Sequence, residues 1–188
     1  MSIRRKKAEL LAQGLKRHGI ELVVFDFDRT ILDKHSKGFA SRDGSDLKDY
    51  RHHVSCDFIA FAAALARRGI GIAIATFADD LIAAPIRLLR GRNILGGSAF
   101  VKAVLAPHLS ISEQDIVALY PPLHLFSSYP PFKRYHLRCL RLGRGLRPAQ
   151  VAFFDDDAGN VRDAAKQGYV AIHVTSCGFR FNSLSLMS

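Results

Sequence analysis

The sequence predicts an α/β domain: a doubly wound, Rossmann-like parallel sheet with helices on both faces. Two observations carry this. Apolar runs of strand length, such as "VVF", "IGIAIAT" and "VAFF", alternate along the chain with longer helical patterns, the order that βαβ units require. Those runs are apolar almost throughout, as strands covered on both faces are. Crossovers are then expected to be right-handed, with the loops at the carboxyl ends of the strands forming the site.

Taken in order, Arg4 to Arg17 reads as a helix, Glu21 to Phe25 as a strand, and Asp57 to Arg68 as a helix closed by Gly69. Ile70 to Thr76 reads as a buried strand, after which Asp79 and Asp80 cap a helix running to about Arg90. "SAFVKAVL" and "SEQDIVALY" look helical, with Pro107 and Pro121-Pro122 as stops, so residues 96–122 read as a small helical insert, either a partial lid over the site or an outer helical pair. "HLFSS" (His124 to Ser128) suits a short strand and Phe132 to Leu142 a helix. "VAFFD" (Val151 to Asp155) is a strand, "AGNVRDAAKQG" a helix closed by Gly168, and "YVAIHVT" (Tyr169 to Thr175) the last strand.

At 188 residues the chain is expected to be one domain, able to bury roughly 70% of its unfolded surface. With 48% hydrophobic and 23% charged residues and no repeat, disorder is not expected away from the ends. Three cysteines, without C-x-x-C spacing, indicate neither a disulfide framework nor a zinc knuckle and suit a reducing compartment. No apolar run approaches the roughly 20 residues needed to span a bilayer, and none follows Met1 as a secretory signal requires, so a soluble, cytoplasmic protein is expected. Arg4 to Lys7 with Leu10, Leu11 and Leu15 also fits an amphipathic targeting segment, but Glu9 favours an ordinary first helix. The net charge of +10 favours anionic partners, whether phosphates, nucleic acid or acidic surfaces, without choosing among them. No aromatic residues interleave with "RRKK", "RHH" or "RCLRLGRGLR" as single-strand binding prefers.

Polar residues gather where strands end. Asp26 and Asp28 follow the first strand, Thr76 ends the second, Lys133 opens a helix, and Asp155, Asp156 and Asp157 follow "VAFF". Clustered carboxylates repel one another unless a cation holds them, and an all-oxygen set suits Mg²⁺ rather than zinc. Lysine and threonine beside them can hold a phosphoryl group. The pattern points to metal-assisted phosphoryl chemistry on a phosphorylated substrate.

"DFDRT", a hydrophobic strand ending in Thr76, Lys133 at a helix start, and "FFDDD" resemble, in order, the four motifs of the haloacid dehalogenase-like superfamily. The resemblance runs from Glu21 to Gly178. "VVFDFDRTIL", "PPFKRYHL" and "FFDDDAGNVRDAAKQGYVAIHV" are most similar to the small eukaryotic magnesium-dependent phosphatases. The resemblance implies Asp26 as a nucleophile that forms an aspartyl-phosphate, and Asp28 as the acid that protonates the leaving oxygen and then activates water. It implies Mg²⁺ on Asp26, the carbonyl of Asp28 and Asp155, with Asp156 acting through water. Thr76, the adjoining Phe77 and Lys133 are implied to bind the phosphoryl oxygens. An acid at Asp28 implies a phosphatase or phosphotransferase, since dehalogenases lack it.

Rival readings stand beside these. Asp28 and Thr30 can cap a turn, Thr76 can be a strand-end hydroxyl, and Lys133 is one of 27 basic residues. Asp157 reads as a turn or N-cap residue and Asn160 as a brace for its loop. Arg29 either meets substrate or faces solvent. His35, His52 and His53 are candidates for the mouth of the site; His136 reads as a helix-surface residue and His173 as a strand residue. Residues 31–55 leave room for a flap, the minimal cap of this superfamily, and not for a helical cap domain. A catalytically silent basic module for nucleic acid or a protein partner is the alternative to an enzyme.

Overall fold

The computed structural model describes residues 2–78, 83–86, 88, 93–118, 133–175 and 177–186. Helix α1 (Ile3–Arg17) starts at Ser2, whose side chain accepts from the Arg5 amide, and ends on Lys16 and Arg17, which suit the negative end of its dipole. Ala8, Ala12 and Leu15 recur at helical spacing and are buried. They face helix α3 (Cys56–Arg67), capped by Ser55 and rich in buried Phe and Ala.

The main sheet has six strands: β1 (Leu22–Phe25), β3 (Gly71–Thr76), β5 (Ile116–Ala118), β6 (Val151–Asp155), β7 (Val170–Val174) and β8 (Leu184–Leu186). Across the sheet they run β5-β3-β1-β6-β7-β8, parallel except for β8. The five parallel strands thus have the order 3-2-1-4-5 of a doubly wound, Rossmann-like sheet, with β1 at the point where the winding reverses. Side chains alternate faces. Val23, Phe25, Ile74, Ala152, Phe154 and Ile172 share one cluster with α1, α3 and helix α4 (Gly97–Leu105). Leu22, Val24, Ala73, Ala75, Val151, Phe153 and Ala171 share the other with helices α5 (Arg134–Leu142) and α6 (Ala158–Lys166). On the first face Phe25 stacks on Phe154 at 5.0 Å and meets Phe58 edge-on at 5.1 Å. This rigid aromatic layer lies one residue before the two strand ends that carry Asp26 and Asp155.

The structure departs from expectation in three places. Of Ser112–Tyr120, expected to be helical, the described part, Ser112–Ala118, instead forms a 3₁₀ turn over Glu113–Asp115 followed by β5, and Leu119 and Tyr120 lie outside the described residues. Ile116 is buried and pairs with Ile74, so packing at the sheet edge outweighs a helical pattern of only a few residues. β7 is not the last strand, because β8 adds antiparallel to it. Residues 31–55 are more than a flap. Strand β2 (Phe39–Ser41) pairs antiparallel with β4 (Ile94–Gly96), and helix α2 (Ser45–His52) packs its Tyr50 edge-on against Phe100 of α4 at 5.5 Å. The expected helix from Asp79 to Arg90 falls largely, and the strand "HLFSS" wholly, outside the described residues. No described helix is long and apolar enough to cross a membrane.

Candidate active site

β1 and β6 are neighbours, and their ladder continues one residue beyond β1, where the Asp26 amide donates to the Phe154 carbonyl at 2.8 Å. Asp26 is thereby placed beside Asp155. Together with Asp156 they form a group of three acids whose nearest carboxylate oxygens all lie within 4.8 Å of one another. The site opens into a cleft of about 370 Å³ lined by Asp26, Asp28, Thr76, Phe77, Lys133 and the Asp155–Asp157 turn.

Each acid has its own support. Asp155 is buried; one oxygen accepts from the Asp157 amide at 2.7 Å and the other from Asn160 Nδ2 at 2.9 Å. Asp157 in turn caps α6 through the amides of Gly159 and Asn160. The Asp156 amide donates to Thr30 Oγ1 at 3.0 Å, and His173 Nε2 donates to the Asp156 carbonyl at 2.9 Å. Burial, then the charge of Asp26, pushes the Asp155 carboxyl well above its usual range and Asp156 up to about 6.

Lys133 sits just before α5 and is only 1% exposed. Its Nζ donates to Asp26 Oδ1 at 2.8 Å and to the Ala75 carbonyl at 2.9 Å, and lies 4.0 Å from the centre of the Phe77 ring. Three directions around the ammonium are therefore engaged by a carboxylate, a carbonyl and an aromatic face. Thr76 is buried beside it, its Oγ1 accepting from the Ala78 amide at 3.2 Å.

Asp28 lines the same cleft from the loop after β1. Its Oδ1 accepts from the Ser36 amide at 3.0 Å and its Oδ2 lies 3.3 Å from His35 Nδ1. Burial raises its pKa, Asp26 adds to that, and Ser36 and His35 oppose it. The loop is pinned on both sides. Arg29 has φ 59°, costly by about 1–3 kcal/mol for a residue with a Cβ. It is held there by its amide to the Lys34 carbonyl and by the Gly178 amide donating to its carbonyl at 2.7 Å.

A hard divalent cation fits the donor set. Five acids line the cleft beside three permanent cations, Lys133, Arg29 and Lys37, and burial with mutual repulsion raises the pKa of three of those acids, a repulsion that a bound cation would relieve. The three grouped acids offer oxygen donors only, a set of the kind that Mg²⁺, Mn²⁺ and Ca²⁺ take.

No known protein-family model matches the chain, and no curated protein does.

The structure gathers Asp26, Asp28, Thr76, Phe77, Lys133, Asp155 and Asp156 around one cleft. The Asp28 carboxylate stands outside the group of three acids. Asp157 is an N-cap and Asn160 a brace, as expected. Of the three histidines considered for the mouth, His35 lines the cleft, while His53 pairs with Asp33 at 2.5 Å and His52 borders a separate surface hollow. His136, expected on a helix surface, is fully buried, its ring 5.1 Å from Phe77. Sequence reasoning did not single out Ser36, Lys37 and Gly38, or the bracing roles of Thr30 and His173. For Thr30 a signal existed, since it closes "DFDRT"; for His173 it lay only in the register that sets it opposite Asp155.

Proposed function

We propose that this protein is a Mg²⁺-dependent phosphomonoester hydrolase that works through an aspartyl-phosphate on Asp26, with a haloacid dehalogenase-like fold and a small cap over residues 31–55. The observation that carries the reading is the convergence of three strand-end carboxylates with a buried lysine bonded to one of them.

Asp26 Oδ attacks phosphorus, and Asp28, whose carboxyl is kept protonated more readily by burial, gives its proton to the departing oxygen. A water then attacks the phosphoryl group while Asp28 takes its proton, which releases phosphate and restores Asp26. Lys133, Thr76 and the main chain at Phe77 hold the phosphoryl oxygens and offset the charge that develops on them. Asp26, Asp155, the Asp28 carbonyl and Asp156 through water would hold Mg²⁺, which supplies Lewis-acid stabilisation worth several kcal/mol. Three exposed free thiols, Cys56, Cys139 and Cys177, suit a reducing, cytoplasmic setting.

The net charge of +10 favours a second reading, a silent binding module for nucleic acid or an acidic partner. A chromogenic phosphatase assay with Mg²⁺ and with EDTA separates the two. Turnover that requires the metal and disappears in Asp26→Asn supports the enzyme; no turnover on any phosphomonoester supports the module.

A further inference from the structure

Two cations at the mouth have no task in the chemistry above. Arg29 and Lys37 line the cleft, are exposed, and have no ion-pair partner among the described residues, whereas the neighbouring Lys34 pairs with Asp49. Both also have left-handed backbones, φ 59° and 66°, and are the two non-glycine residues that do so among the described residues. Each is fixed by its surroundings. Arg29 is pinned by Lys34 and Gly178, on the Asp156 side, where its charge is felt by that carboxyl. The Lys37 amide donates to His35 Nδ1 at 3.1 Å, and the next residue, Gly38, lies so close to the loop after β3 that a Cβ there would stand 3.2 Å from the Ala78 Cα. A longer, mobile side chain on a rigid backbone at a rim is suited to gripping a charged group that arrives with the substrate. The cleft, at about 370 Å³, also exceeds what one phosphoryl group fills.

We propose that Arg29 and Lys37 form a rim subsite for a second phosphate on the substrate, so that this site prefers phosphomonoesters bearing another phosphate over simple monophosphates. The inference rests on the phosphatase reading for the inner phosphate only. A guanidinium can hold the second phosphate through paired hydrogen bonds and the ammonium as a point charge. The rival role for Arg29 is to screen Asp156, which would change metal dependence and leave substrate choice alone.

The test compares a nucleoside 3′,5′-bisphosphate, the matching 3′- and 5′-monophosphates, 4-nitrophenyl phosphate and a 5′-phosphorylated oligonucleotide with the wild type, Arg29→Gln and Lys37→Gln. We expect the wild type to favour the bisphosphate at least tenfold in kcat/KM over either monophosphate. Each substitution should cost the bisphosphate at least fivefold more than 4-nitrophenyl phosphate, mainly through KM. The oligonucleotide arm tells a free second phosphate from a phosphodiester. Equal losses on all substrates, or an altered Mg²⁺ requirement with the preference intact, would overturn the rim subsite. Calorimetric binding of the bisphosphate and the monophosphates to Asp26→Asn supplies a readout that needs no turnover. Tighter bisphosphate binding that depends on Arg29 and Lys37, in a protein whose wild type hydrolyses nothing, would sink the phosphatase reading and keep the subsite. Turnover and binding without preference would do the reverse.

Discussion

Lys133 Nζ and Asp26 Oδ1 meet at 2.8 Å although 107 residues separate them in the chain, and both side chains are nearly excluded from water. A buried ion pair contributes little net stability when intact, because desolvation offsets attraction, yet losing one partner strands the other. The pair is better understood as fixing charge in place: Lys133 is bonded to Asp26, and Asp26 is grouped with Asp155 and Asp156, so the ammonium offsets part of the repulsion among the three acids.

Lys133→Met should therefore destabilise the protein in EDTA by about 3 kcal/mol, with a Tm roughly 6–12 °C lower for a chain of this size. Mg²⁺ should restore part of that loss but not activity, since the phosphoryl oxygens lose their ammonium. Thermal denaturation with and without metal checks this; an unchanged Tm in EDTA would contradict the account of the pair.

Asp26→Asn should fold, though less stably because the buried Lys133 loses its carboxylate partner, since the amide keeps the shape and residue 26 is anchored through its backbone to Phe154. Turnover should fall to background, since an amide neither attacks phosphorus nor holds a cation well. A folded variant with more than a tenth of wild-type kcat would falsify the covalent role.

Much of this site was legible before the fold, and the physical reason is local. Asp26 and Asp155 end short apolar runs that read as buried strands, and Lys133 and Thr76 sit at element boundaries that proline, glycine and periodicity mark. What lay hidden depends on contacts across the sheet. Nothing near Thr30 in the chain says that it will bond the Asp156 amide 126 residues later, and His136 looked like a surface residue because its helix is polar around it. The strand at Ile116–Ala118 was misread because three residues carry too little periodicity to overrule a helical pattern; only its pairing with Ile74–Thr76 decides. The small substructure over residues 31–55 was hidden for the same reason, since β2 finds its partner β4 over fifty residues away.

Asn160 gives a test of a brace rather than a ligand. Its Nδ2 holds the second oxygen of Asp155 at 2.9 Å, so Asn160→Ala frees that carboxylate to turn and leaves one oxygen without its donor. Partners that orient a metal ligand typically change metal affinity 10–100-fold. The Mg²⁺ concentration for half-maximal activity should rise by about that factor, with kcat at saturating metal recovered to within a few-fold. A collapse of kcat that excess Mg²⁺ does not relieve would place Asn160 in the chemistry instead.

The grouped acids also predict how metal and pH combine. Burial and mutual repulsion raise the pKa of Asp28, Asp155 and Asp156 above the unfolded value of 3.8, with Asp156 reaching about 6. A raised acid favours folding most when protonated: its contribution is full below 3.8 and is lost as pH climbs through the folded pKa, for Asp156 between about 4 and 6. Without metal, these groups thus weaken the fold progressively towards neutral pH. A divalent cation binds the ionised carboxylates and removes the repulsion, so its stabilisation must grow over the same window. At a Mg²⁺ concentration 100 times its neutral-pH Kd, the gain should be about 2.7 kcal/mol, or roughly 5–10 °C in Tm, at pH 7.5, and far smaller at pH 5. Asp156→Asn removes one of the titrating acids, so it should flatten the dependence and shrink the gain at neutral pH. An equal Tm gain at both pH values in the wild type would mean that Mg²⁺ binds elsewhere, and that the three carboxylates are held together by Lys133 alone.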